Sequence, residues 1–157
     1  MFGNFTGPVA FIGTAVLLLF VVPRTCIQRY VWMGIVGGLL LALLLLIIMQ
    51  NILSFWIFTD IDLVYFYNTP LSLAAVWIPL VIMFSYFVNA GNSNPIRSAA
   101  LIVAFALFAT IAHWFLLTEG LLVYRNWSLV YTFMLAGAIH IMLYAYLQLA
   151  NQARNVW

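Results

Sequence analysis

Lysine is absent from the 157 residues, and all five basic residues are arginines (Arg24, Arg29, Arg97, Arg125 and Arg154). Schiff-base chemistry needs a lysine amine, so retinal proteins and lysine-nucleophile enzymes are excluded. Acids are scarcer still: Asp60, Asp62 and Glu119 are the whole set. A formal net charge of +2, dispersed along the chain, makes no clustered basic patch, so nucleic acid is not an expected partner. The single cysteine, Cys26, closes no internal disulfide and belongs to no CxxC or Cys/His metal spacing. There is no Gly-rich phosphate loop, no HExxH, no pair of acids within one apolar run, and no Ser/His/acid set at compatible levels. Nucleotide chemistry and intramembrane proteolysis therefore have no residues to carry them.

What is present is apolar. Hydrophobic residues make up 68% of the chain and charged residues 5%. The mean hydropathy of +1.17 lies far above that of a soluble domain, which is roughly half apolar. A helix needs about 20 predominantly apolar residues to cross a bilayer. Runs of that kind, bounded by charges, prolines and small polar clusters, predict an all-α, polytopic integral membrane protein: a single transmembrane domain over 1–157 with five helices, at about 5–22, 31–56, 70–89, 95–118 and 127–151. The start Met1-Phe2-Gly3-Asn4 has no basic n-region, which reads as an uncleaved first span.

Local signals place the ends. Pro23-Arg24 closes the first run. In the second, a helix from Val31 to Phe58 would be about 42 Å long, which calls for strong tilt or for a break near Gln50-Asn51; tilt is the favoured reading. Thr69-Pro70 reads as a cap and first-turn proline for the third helix, and Asn94-Pro95 for the fourth. Pro79 takes the donor from the bond to the Ala75 carbonyl and predicts a kink. Gly34 and Gly38, with Ala42 one turn on, form a small-residue stripe for close helix packing.

Arg24, Arg29, Arg97 and Arg154 fall on one side of this topology, and the three acids with Arg125 on the other. By the positive-inside rule the N-terminus is outside and the C-terminus inside. Asn4-Phe5-Thr6 and Asn126-Trp127-Ser128 match the N-glycosylation pattern on the outer side, but both lie so close to the bilayer that cap or interface roles are the better reading.

One face of the fifth helix, carrying Gly137, His140, Tyr144, Gln148 and Asn151, gathers most of its strong hydrogen-bonding groups within a sector of roughly 80°. Such a face meets protein or water rather than lipid. His140, Tyr144, Gln148 and, on the fourth helix, His113 are thus the candidate cofactor-binding residues, with helix packing the competing and preferred explanation. By rise per residue His113 sits about 9 Å from the outer end and His140 about 20 Å, a depth difference of roughly 11 Å that disfavours a haem held by both. Asp60, Asp62 and Glu119 are weak candidates for a metal site near His113, more simply read as a solvated loop.

The composition requires no cofactor; haem or quinone are the ones the histidines admit. The expected function is that of an accessory, non-catalytic integral subunit of a larger membrane complex of the electron- or proton-transfer, respiratory oxidoreductase type. Its partners would be the lipid bilayer and other membrane subunits, in a cytoplasmic (inner) or equivalent energy-transducing membrane. A small oligomeric transporter or channel is the alternative, and a haem- or quinone-binding protein using His140 or His113 a further one.

Overall fold

A computed structural model describes residues 5–90 and 94–154, with side chains to residue 151. Asn4 and residues 91–93 lie outside it, as does the Arg154 side chain. The chain is mostly helical: α1 (Thr6–Val21), α2 (Arg24–Ile52), α3 (Leu71–Asn89), α4 (Pro95–Thr118) and α5 (Leu129–Arg154). Four of these, α2 to α5, are long and apolar enough to cross a membrane. The 16 residues of α1 rise only about 24 Å, less than a typical hydrocarbon core of about 30 Å.

Two boundaries of α2 differ from expectation. The Pro23 carbonyl accepts from the Cys26 and Ile27 amides, at 2.9 and 3.0 Å, so the helix opens at Arg24 rather than near residue 31 and carries Arg29 in its second turn. At the other end it stops at Ile52, and Ser54 takes a positive φ of 55°. Residues 56–58 form a strand, so the chain breaks after Gln50-Asn51 instead of tilting through. The reason is in those two side chains: Gln50 donates to the Asn68 carbonyl (2.6 Å) and Asn51 to that of Tyr67 (2.7 Å). The helix end is spent holding a hairpin.

That hairpin is one of two short pairings that add β structure to the expected all-helical bundle. Strand β1 (Trp56–Phe58) pairs antiparallel with β4 (Leu122–Tyr124), and β2 (Tyr65–Phe66) with β3 (Thr69–Pro70). Thr69 therefore does not cap α3. The cap comes from Asp62, whose Oδ2 accepts from the Leu73 amide (3.0 Å) while Oδ1 accepts from Leu63 (2.8 Å). Gly7 of α1 lies against it, so that a Cβ there would come within 2.9 Å of Asp62 Oδ2. In α3 the regular bonding is interrupted at Val76, next to the Ala75 carbonyl that Pro79 leaves without a donor. Asn94 caps α4 as expected, accepting from Ile96 and Arg97. On α5 the cap is Ser128, whose Oγ accepts from Tyr131 (3.3 Å).

Helix α3 is the hub. Residues Pro79 to Ser85 are buried on every side, whereas the other long helices bury only a stripe. It seats on the small-residue stripe of α2: a Cβ on Gly38 would lie 2.6 Å from the Trp77 carbonyl oxygen, and one on Gly34 2.8 Å from Ile82. Helices α4 and α5 form an antiparallel hairpin against the remaining face. The Gly7 amide donates to the Ile61 carbonyl (2.9 Å) at the end bearing the acids, and Asn151 donates to Asn89 at the opposite end. Outward faces are apolar, with Val9, Phe20, Val36, Leu44, Ile111 and Met142 exposed, as befits a bundle whose solvent is lipid.

Candidate functional site

The β1–β4 pairing sets the upper wall of the site. Register places Trp56 opposite Tyr124, at the acidic end of α4 and α5. From there Tyr124 reaches His113: its hydroxyl lies 2.7 Å from His113 Nδ1 and 2.6 Å from Thr132 Oγ1. Thr132 also accepts from Trp127 Nε1 (2.9 Å) and sits 3.2 Å from the Ser128 carbonyl. The result is a continuous chain, Trp127–Thr132–Tyr124–His113.

This chain has two complete proton arrangements. In one, Thr132 donates to Tyr124 and Tyr124 to His113 Nδ1, leaving the imidazole proton on Nε2. In the other, His113 Nδ1 donates to Tyr124, Tyr124 to Thr132, and Thr132 to the Ser128 carbonyl, leaving Nε2 bare. Hydroxyl rotation and one imidazole tautomer change interconvert them, because each hydroxyl can donate once and accept twice. Burial pushes the Tyr124 phenol above its ordinary value, and the Thr132 hydrogen bond works against that. The phenol therefore keeps its proton at neutral pH.

His140 is held differently. It is 1% exposed, enclosed by the rings of Trp77, Phe84 and Phe105 at centroid distances of 6.2, 5.0 and 5.5 Å. Its Nδ1 lies 2.7 Å from the Ala136 carbonyl oxygen one turn back. A carbonyl only accepts, so Nδ1 carries the proton and Nε2 of the neutral ring is a bare lone pair.

Both histidines line one interhelical cavity of about 80 Å³, and Trp56, Trp77 and Thr132 share its wall. It is a long slot. Its lining runs from Gly37 to Leu46 on α2 and from Thr132 to Leu143 on α5, about 14 and 17 Å of helical rise. Thr132, two hydrogen bonds from His113 through the shared Tyr124 hydroxyl, precedes His140 by about 12 Å of helical rise, so the two imidazoles meet the cavity at different places along it. Among the described residues, these histidines are the ionisable side chains that line it. The buried Trp56 Nε1 has no hydrogen-bond partner among the described residues.

The other candidates lie elsewhere. Tyr144 and Gln148 are half-buried and off the cavity wall; the buried seam of α5 is Thr132, Ala136, His140, Leu143 and Leu147. The polar face thus borders the packing seam rather than coinciding with it, and Gly137 has open space where a Cβ would go. Asp62 is buried, its carboxylate taken by backbone amides, while Asp60 and Glu119 are exposed. Among the described residues no three of His, Cys, Asp and Glu gather as a metal site. Two residues of the hydrogen-bond chain, Thr132 and Tyr124, are not among the candidates that the sequence offers. Thr132 stands at i−8 from His140, a helical spacing that places both on one face; Tyr124 gives no local signal, because it is a non-local strand register that puts it over His113.

No protein-family model, curated protein or solved structure matches the chain.

Proposed function

We propose that this chain is a non-catalytic integral subunit of a larger membrane assembly that handles protons or electrons, in a cytoplasmic or equivalent energy-transducing membrane. Five crossings, α1 included, put the N-terminus outside and the arginine-bearing ends of α2 and α4 inside. The observation that carries the reading is the two-histidine cavity joined to the acidic end by a hydrogen-bond chain with two complete proton arrangements. The two arrangements let His113 present its Nε2 to the cavity as donor or as acceptor with every bond of the chain kept. The apolar faces of α2, α4 and α5 leave surface for neighbouring subunits as well as lipid.

The test is solubilisation in mild detergent, native separation, and mass spectrometry of co-migrating chains. Stoichiometric companions with redox cofactors or proton-pumping subunits are the expected result; migration alone as a functional monomer overturns it. The interhelical cavity also favours a second reading, a small oligomeric proton or solute carrier. In that case reconstituted protein alone moves protons, and His140→Ala abolishes the flux.

A further inference from the structure

We propose that the interhelical cavity is a hydration site, in which about two or three ordered waters bond to Trp56 Nε1, His113 Nε2 and His140 Nε2 and continue the Trp127–Thr132–Tyr124–His113 chain into the bundle. This deepens the functional reading above, on which it rests for the role of the cavity, by naming the ligand held there.

Size comes first. A cavity of about 80 Å³ has room for about two or three waters at about 30 Å³ each, and falls short of the about 150 Å³ that admits a bare benzene ring. Haem and quinone heads are larger still, so the slot takes neither. A metal ion asks for several ligands, and among the described residues no three of His, Cys, Asp and Glu gather.

Bonding comes second. Trp56 is 5% exposed, and its Nε1–H has no hydrogen-bond partner among the described residues. A buried donor left so is costly, and such groups mark places where something else completes the bonding. His140 Nε2 is an acceptor by elimination, since Nδ1 is committed to the Ala136 carbonyl. His113 Nδ1 is likewise taken, by Tyr124, so Nε2 is its remaining bonding group. The wall thus carries a fixed donor, a fixed acceptor and a group that can be either.

Water answers all three, because each molecule both donates and accepts. It gives the Trp56 N–H an acceptor and the His140 lone pair a donor, and it serves His113 in both proton arrangements of the chain. The rings of Trp56 and His113 stand 5.0 Å apart between centroids, so the unpartnered donor and His113 share one part of the cavity. Apart from Thr132, whose hydroxyl is already bonded, the rest of the lining is apolar and aromatic. A wholly apolar cavity would stay dry; these three groups are what hold water in this one.

The experiment uses the full chain in lipid nanodiscs, with ¹⁵N-labelled histidine and tryptophan. The chain has two histidines, and Trp56→Phe assigns the Trp56 indole signal by its loss. Magnetisation is started on water protons, and its arrival at the Trp56 N–H and at both imidazoles is followed by nuclear magnetic resonance. Transfer to all three is the expected result, with the His140 Nε2 signal displaced from that of a free lone pair toward that of a hydrogen-bond acceptor. Trp56→Phe removes the fixed donor, and transfer to His140 is expected to fall about twofold or more. Unchanged transfer in that variant overturns the bonding pattern. Tyr144→Phe, off the cavity wall, leaves the transfer as it is.

If Trp56→Phe fails to fold, by circular dichroism and monodispersity, the wild-type histidine signals decide. Xenon enters dry apolar cavities. Saturable xenon binding with no water transfer to His140 therefore overturns the proposal, and so does a His140 Nε2 signal of a free lone pair. Companion subunits are read separately by native separation. Companions with a dry cavity sink this inference alone, whereas a hydrated cavity in a chain that migrates alone sinks the subunit reading and leaves the water in place.

Discussion

Tyr124 is the residue on which most of the site turns. It belongs to a strand, yet its hydroxyl joins a histidine of α4 to a threonine of α5. Tyr124→Phe removes both bonds and leaves His113 Nδ1 and Thr132 short of a partner. The expected loss is about 1–3 kcal/mol in reversible unfolding in detergent. The pH dependence has a definite sign. Because the folded phenol titrates above its ordinary value near 10, the unfolded chain gives up its proton first as pH rises. Stability is therefore full below that value and falls above it, and Tyr124→Phe flattens this alkaline limb. Asp62 makes a second residue-scale test: Asp62→Ala frees the Leu63 and Leu73 amides and is expected to cost about 1–2 kcal/mol in the same measurement. Neither role was legible locally. Asp62 read as half of a solvated Asp-x-Asp pair, because the helix it caps starts nine residues later, beyond a hairpin that only the folded chain defines.

At the scale of elements, the small-residue stripe of α2 was readable and its use is specific. Gly38 meets the backbone of α3, which cannot step aside as a side-chain tip can. Gly38→Ala is therefore expected to force α2 and α3 apart, costing about 1–3 kcal/mol and lowering the thermal midpoint in detergent. Gly137→Ala is the contrasting case. Open space surrounds that position, so the substitution is neutral or stabilising by up to about 1 kcal/mol through helix propensity. The pair separates close packing from glycine content as such. Helix positions were legible because proline, asparagine and the apolar runs act over a few residues. The end of α2 was not, since Gln50 and Asn51 are helical while their side chains answer to carbonyls of a later hairpin.

For the whole molecule, the proposed orientation has a ready probe in the single cysteine. Cys26 lies in the first turn of α2, beside Arg24. In sealed cells a membrane-impermeant thiol reagent is expected to leave it unlabelled until the membrane is opened. A cysteine introduced at exposed Asp60, in a Cys26→Ser background, is expected to react at once. The reverse pattern inverts the topology. Labelling at both from one side would make α2 something other than a crossing.

The sequence by itself determined the solvent and the grammar of this protein. An apolar chain with its few charges confined to connections and helix ends has to satisfy its backbone within helices when lipid surrounds it, and its prolines and caps set most of where those helices begin. Only the tertiary structure decided which residues meet. The β1–β4 register carries Tyr124 over His113, and the face of α5 that turns inward puts Thr132 and His140 on one slot. These are contacts between distant segments. Hydrophobic periodicity says that a face is buried, but the identity of its neighbour depends on how all five helices share one interior.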